Sequence, residues 1–238
     1  MVVGAAPENY WFARLKQGTF VYLLVVMKLY QLEVERIWGD SGNVIVHGFI
    51  GLHDELDGRT GPVNLERTGP SCPKLTLPGL HTLIATDAFR TKLNDSPFVG
   101  LSYCDVNIEK CVDMPWQNFR RDKDESPVLE NGERAEDHFY RAPHSSSAAS
   151  KMEKLWQCQL EVGCAIEIVN QTSPWDYDVA IAPESWNGRH LFLGHDESAI
   201  IGKWIVTTEI GKHWLETNGI EWIEFRELVV LNGERTKP

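Results

Sequence analysis

Two segments of the chain carry the same local pattern: Leu83-Ile84-Ala85-Thr86-Asp87-Ala88-Phe89 and Ile205-Val206-Thr207-Thr208-Glu209-Ile210-Gly211. Thr86 aligns with Thr208 at an offset of 208 − 86 = 122, and the offset holds without gaps over about 25 residues. The other matches pair Ile84 with Val206, Asp87 with Glu209, Arg90 with Lys212, Leu93 with Leu215, Leu101 with Ile223, Tyr103 with Phe225, and Val106 with Leu228. Matches in one shared order indicate a duplicated supersecondary unit.

Each copy predicts a strand that runs into a helix and returns as a strand. The hydroxyl of Thr86 or Thr208 can cap the free amides of a helix start, and the following Asp87 or Glu209 lies near the positive end of the helix dipole. We interpret these two acids as capping groups rather than as a catalytic pair. The sequence therefore predicts an α+β, strand-rich mixed fold with two related strand-helix-strand units near residues 80–106 and 202–228.

Shorter patterns predict the rest of the chain. Apolar runs between turns, such as residues 43–51, favour strands, and apolar residues at helical spacing predict a helix over residues 147–160. We divide the chain into an N-terminal extension or extra strand (1–27), a first α+β half (28–120), an acidic loop or linker (121–145) and a second α+β half (146–238). We expect the two halves to pack as one unit.

Composition limits the function. The 238 residues include 34 acidic and 23 basic side chains, a net charge of −11, which argues against a nucleic-acid backbone or an anionic membrane as partner. Five cysteines are an odd number in a chain that is long enough to bury a core, so we expect reduced thiols in a cytoplasm. The apolar run at residues 20–27 is too short to span a bilayer and lacks a signal-peptidase site.

Motifs for common chemistries are missing from the sequence. There is no phosphate-binding glycine loop, zinc-protease helix, serine-hydrolase elbow or dinucleotide fingerprint, so no catalytic residue and no cofactor are predicted. Cys104, Cys111, Cys158 and Cys164 lack the spacing of compact zinc sites, and no metal is predicted. A hydrolase in which His47, His53 or His81 activates Cys72 stays as an alternative.

The candidate partner-binding residues are acidic residues and tryptophans that lie in predicted turns. The segment 122–137 is rich in carboxylates, and Pro127 and Gly132 predict an exposed loop there. Such a loop could enter the basic cleft of a partner, while a tryptophan in a turn could supply an apolar anchor. The predicted partner-binding residues are Asp122, Asp124, Glu125, Glu130, Glu133, Glu136, Asp137, Trp175 and Trp186. A solvated linker is the alternative interpretation of the acidic segment.

Several stretches resemble immunity proteins of bacterial polymorphic toxins, and are similar to the double-CxxCG and related families. They are residues 66–70 (ERTGP), 73–79 (PKLTLPG), 86–89 (TDAF), 178–179 (DV), 191–192 (LF), 205–209 (IVTTE), 214–215 (WL) and 222–225 (WIEF). This chain has no CxxCG motif, so the zinc sites of that family are not carried over. The resemblance implies a non-enzymatic inhibitor that binds one cognate toxin in the cytoplasm of the producing cell. A structural or regulatory subunit of a larger assembly is a further alternative.

Overall fold

A computed structural model describes residues 12–14, 20–22, 28–38, 42–51, 62–79, 81–121, 125–173, 176–181, 185–196 and 203–230. The strands in these ranges are β1 (Phe12–Arg14), β2 (Phe20–Tyr22), β3 (Leu29–Val34), β4 (Phe49–Ile50), β5 (Val63–Gly69), β6 (Leu75–Thr76), β7 (Leu83–Thr86), β8 (Ser102–Asp113), β9 (Leu155–Gln159), β10 (Val162–Ser173), β11 (Asp176–Ile181), β12 (Leu191–His195), β13 (Lys203–Thr208), β14 (Ile223–Glu227) and β15 (Val229–Val230). The helices are α1 (Gly42–His47), α2 (Asp87–Asn94), α3 (Ala135–Arg141), α4 (Ser146–Lys151) and α5 (Glu209–Thr217).

Most strands belong to two mixed sheets. One has seven strands in the order β14-β3-β13-β12-β10-β11-β15, and the other has six in the order β4-β5-β8-β9-β7-β6. Within the N-terminal 27 residues, β1 and β2 form a separate antiparallel pair. The predicted strand-rich α+β fold with two similar units is confirmed.

The two predicted units, β7-α2-β8 and β13-α5-β14, share their local geometry. The N–H of Phe89 donates to the Thr86 hydroxyl (3.3 Å), and the N–H of Gly211 donates to the Thr208 hydroxyl (3.2 Å). Both threonines have extended backbone angles, as a helix N-cap requires. The offset of 122 therefore matches a repeated structure.

Each unit holds a strand that comes from the other half of the chain. In the six-stranded sheet, β9 lies antiparallel between β7 and β8; in the seven-stranded sheet, β3 lies antiparallel between β13 and β14. Since β3 precedes the first unit and β9 precedes the second, each half gives its first strand to the other half. The boundary between the predicted halves is therefore not the boundary between the sheets.

The exchanged strands occupy equivalent places, residue for residue. Thr86 pairs with Leu155 and Thr208 with Leu29, so β9 matches β3 at an offset of 155 − 29 = 126. The register on the opposite side agrees, since Tyr103 faces Cys158 and Phe225 faces Leu32. The aligned sequences are Lys28-Leu29-Tyr30-Gln31-Leu32-Glu33 and Lys154-Leu155-Trp156-Gln157-Cys158-Gln159.

Backbone hydrogen bonds at the two helix starts repeat as well. The N–H of Asp87 donates to the Lys154 carbonyl (2.9 Å), and the N–H of Glu209 donates to the Lys28 carbonyl (3.1 Å). On the other side, the N–H of Thr86 donates to the Lys74 carbonyl and that of Thr208 to the His190 carbonyl, both at 3.1 Å. Lys74 directly precedes β6 and His190 directly precedes β12, so these bonds match β6 with β12 at an offset of 190 − 74 = 116. We conclude that the chain is a tandem duplication with exchanged first strands.

One apolar core joins the two units. Leu83, Phe89 and Leu93 of the first unit are buried in the same cluster as Ile205 and Leu215 of the second. The Trp214 ring on α5 contacts Phe89 on α2, with ring centroids 5.9 Å apart. Burying these side chains together couples the stability of the two units.

Two predicted elements differ from the structure. The helix predicted over residues 147–160 ends at Lys151, because residues 155–159 form β9 and satisfy the backbone groups of two neighbouring strands. Residues 43–47, predicted as a strand, lie in α1, where Ile45 and Val46 are buried in a cluster with Trp38 and Phe139. In both places tertiary packing outweighs the local pattern.

Candidate functional site

The predicted acidic loop contains a docked helix. Residues 122–124, and with them Asp122 and Asp124, lie outside the described residues. Beyond them, Val128 and Arg134 form an antiparallel bridge and α3 begins at Ala135. Ala135 and Phe139 are fully buried, so the helix is fixed to the body of the protein. The linker predicted at 121–145 therefore includes a helix after Gly132, because the apolar residues of that helix are buried in a core cluster.

A lysine from β8 reinforces this attachment. The Lys110 ammonium donates to the carbonyls of Phe139 (2.8 Å) and Tyr140 (3.0 Å) at the C-terminal end of α3, and it lies 5.3 Å from the centre of the Phe139 ring. A cation at this end of a helix also meets the negative end of the dipole. The helix start carries two acids, Glu136 and Asp137, as the dipole favours.

The predicted acids differ in their freedom to bind a partner. Glu125 and Glu130 are exposed. Asp137 pairs with Arg134 (3.0 Å), and this hydrogen-bonded guanidinium holds the pKa of the carboxyl below its ordinary value. Glu133 accepts from His138 and lies 3.5 Å from Arg141. Glu133 and Asp137 therefore already act within the protein, as ion pairs that shape the helix start.

Of the two predicted tryptophan anchors, only Trp186 belongs to the described residues. Trp175 lies outside the described residues. Trp186 is half-buried, its indole N–H donates to the Arg189 carbonyl (2.8 Å), and its ring packs against a buried cluster that includes Phe192. Trp186 is therefore a partly exposed ring that its own chain holds in place, and its role as an anchor stays a prediction.

Two exposed apolar side chains that the sequence analysis did not select lie in the acidic segment. Val128 is 63% exposed and Tyr140 is 53% exposed. Burial raises the pKa of Tyr140, and the nearby carboxylates of Glu136 and Glu66 raise it further. Tyr140 follows Glu136 by four residues, so both lie on one side of α3. We call Glu125, Val128, Glu130, Glu136 and Tyr140 the helix-α3 surface.

His47 has no ring nitrogen available to activate Cys72 as a nucleophile. The N–H of Leu77 donates to Nδ1 of His47, and Nε2 donates to the Trp222 carbonyl, so backbone groups occupy both ring nitrogens. Burial lowers the pKa of His47 to about 4, and burial raises the pKa of Cys72. A neutral thiol is a poor nucleophile. His53 lies outside the described residues.

The other cysteines are free thiols, as is Cys72. Burial raises the pKa of Cys104 and Cys111, and raises that of Cys158 and Cys164 to about 12. Among the described residues, no three His, Cys, Asp or Glu side chains are placed to hold a metal ion together. Cys158 and Cys164 pack in apolar clusters as small side chains, whereas the half-buried Cys104 thiol donates to the side-chain carbonyl of Gln157 (3.0 Å).

A cleft of about 410 Å³ is a second candidate site, and the sequence analysis missed it. Residues of the segments 72–74, 116–121 and 219–222 line it, so it exists only once three distant parts of the chain meet. The rings of Trp116 and Trp222 meet edge to face with centroids 5.4 Å apart, and the Arg121 guanidinium lies 3.3 Å from the centre of the Trp222 ring. Aromatic walls and fixed cations are typical of a ligand site.

The chain was compared with known proteins at three levels. No family model, no curated protein and no solved structure matches it. In the part of the chain that the structure describes, no helix is long and apolar enough to cross a membrane.

Proposed function

We propose that the chain is a non-catalytic immunity protein that binds one cognate secreted bacterial toxin and covers its active site. The observation that carries this proposal is the attachment of α3, which holds Glu136 and Tyr140 in place beside the turn that carries Val128 and Glu130. A rigid surface loses little conformational entropy when a partner binds. A cytoplasmic location in the producing cell belongs to the same proposal.

Charge supports a basic partner. Residues 125–141 contain five acids and two arginines, and the whole chain has a net charge of −11. Toxins that act on nucleic acids need basic clefts, so carboxylates can guide such a toxin onto the helix-α3 surface. Tyr140 and Val128 would supply the desolvated contacts that carboxylates do not.

Ion pairs within residues 125–141 make some of the acids unsuitable for mutation. Reversing Glu133 or Asp137 would break pairs with Arg141 and Arg134 and so disturb the helix start. Glu125 and Glu130 are exposed and better suited. The variant E125K/E130K changes the net charge by four units, and E109K/E224K makes the same change at exposed positions of β8 and β14.

The test is binding kinetics with the secreted protein whose gene adjoins the gene for this chain. We expect E125K/E130K to slow association about tenfold at low salt and to weaken its salt dependence, while E109K/E224K changes it much less. Y140A is expected to speed dissociation. Equal association rates for the two charge variants would remove the helix-α3 surface from the proposal. Absence of binding by the intact chain would remove the proposed function itself.

A further inference from the structure

The duplication explains why the cleft is open. At the place that the repeat relates to the cleft, Arg189 fills the space: its guanidinium donates to the Val99 carbonyl (3.0 Å), pairs with Glu161 and lies against Gly100. By the offset of 116, the residue that matches Arg189 is Pro73, which has no side chain long enough to reach across. By the offset of 122, Val99 matches Glu221 and Gly100 matches Trp222.

A strained residue forms one wall of the cleft. Trp222 has a φ of 69°, in the left-handed region that Gly100 occupies with a φ of 84° in the other copy. A non-glycine residue is disfavoured there, and such strain concentrates where ligands bind. The Trp222 carbonyl is held by the N–H of Glu35 (3.0 Å) and by His47 (3.0 Å), and these bonds keep the indole at the cleft.

Positive charge gathers at the cleft, although the whole protein is acidic. The Lys74 ammonium is held by the carbonyls of Asn218 (2.9 Å) and Gly219 (3.0 Å), and Arg121 is stacked on Trp222. One acid, Glu221, lies 3.4 Å from Arg121 and is largely exposed. The cations are therefore held in place before any ligand binds.

A third cation lies behind the lining. Arg67 is completely buried, and it donates to the carbonyls of Thr68 (2.8 Å) and Ser71 (3.3 Å). In the described part of the chain its Nη1 has no hydrogen-bond partner and no carboxylate lies within ion-pair distance. Ser71, whose carbonyl accepts from Arg67, directly precedes the cleft residue Cys72. A buried, unneutralised guanidinium favours an anion nearby.

We propose that this cleft binds a small organic anion, whose carboxylate or phosphate is held by Lys74 and Arg121 and whose apolar part lies against Pro73 and the tryptophans. The volume falls within the range of small-molecule sites, about 300–1,000 Å³. Guanidinium and ammonium groups are the usual partners of both oxyanions. This inference is independent of the helix-α3 surface.

The test is calorimetric titration of the intact protein with four probes: benzoate, phenyl phosphate, inorganic phosphate and neutral benzamide. We expect benzoate or phenyl phosphate to bind with one-to-one stoichiometry and at least about tenfold more tightly than benzamide, because benzamide has no charge for the cations to bind. Inorganic phosphate should bind more weakly than phenyl phosphate, because it has no apolar part. The ratio of benzoate to phenyl phosphate affinity identifies the preferred oxyanion.

Variants locate the binding. K74M and R121Q should each weaken anion binding about tenfold, and E221Q should strengthen it, because a competing carboxylate is removed. K151M, at an exposed lysine outside the cleft, is the matched control and should change nothing. The inference is overturned if neither organic anion binds below about 10 mM, if benzamide binds equally well, or if E221Q leaves the affinity unchanged.

Discussion

Cutting the chain in the segment 122–124 tests the exchange of first strands. The fragment 125–238 would contain β13 and β14 without β3, and the fragment 1–124 would contain β7 and β8 without β9. Each unit would lose the strand that lies between its own two strands. We expect neither fragment to fold alone and the mixture to form a one-to-one complex with the secondary structure of the intact chain.

The magnitude follows from the side chains that the missing strand buries. Leu29, Tyr30 and Leu32 of β3 are 1%, 6% and 5% exposed. At about 1.5–3 kcal/mol for each large apolar side chain, their loss removes roughly 5–9 kcal/mol from the fragment 125–238. A complete domain has a free energy of unfolding of only about 5–15 kcal/mol, so the fragment should not be stable.

The assay is co-purification of separately tagged fragments, followed by circular dichroism and urea unfolding. L29D in the first fragment should prevent assembly, whereas V99D, at a side chain that is 75% exposed, should permit it. Cooperative urea unfolding of the fragment 125–238 by itself would contradict this expectation, because it would show that the second unit does not need the strand from the first half.

Three further predictions concern the intact chain. Removing the helix cap by T86A should lower the free energy of unfolding by about 1 kcal/mol, and T208A should lower it more in the same urea denaturation, because the Thr208 hydroxyl also lies 2.8 Å from Nδ1 of His190. G211A should destabilise the protein by about 1–3 kcal/mol in the same assay, because a Cβ there would lie 2.8 Å from the Phe98 ring and 2.6 Å from the His190 carbonyl. Because the pKa of His47 is lowered to about 4 from an ordinary 6.5, the unfolded state binds the proton first. Stability should therefore fall by up to about 3 kcal/mol as the pH decreases from 6.5 to 4, and H47Q should reduce that slope.

The repeated units could be predicted from the sequence because their signals are local. A threonine that caps a helix and the acid that follows it act within one turn, so Thr86 and Thr208 define both helix starts without tertiary information. The α+β class follows from the strands on either side. The apolar positions of α2 and α5 are likewise set by helical periodicity.

The strand exchange could not be predicted from one constant offset. The aligned strands at residues 28–33 and 154–159 differ by 126 residues, whereas the units differ by 122, so an ungapped comparison does not align both. A gapped comparison would have found the six-residue match, but it would not have shown which strands each segment pairs with. The apolar side chains of residues 155–159 have a spacing that also fits a helix. These residues form a strand because they pair with β7 on one side and β8 on the other.

The candidate sites were predicted only in part. The acids of the segment 125–137 are visible in the sequence, but the burial of Phe139 and the contact with Lys110 depend on the folded core. The cleft depends on three segments and on the difference between Pro73 and Arg189. A local pattern does not contain that information.

Growth of cells that express the proposed cognate toxin, sought among the genes that adjoin the gene for this chain, tests the proposed function. Co-expression of the intact chain should restore growth, E109K/E224K should restore it as well, and E125K/E130K/Y140A should restore it poorly at equal protein levels. If the intact chain accumulates in molar excess over the toxin and growth still stops, the chain is not an immunity protein for that toxin.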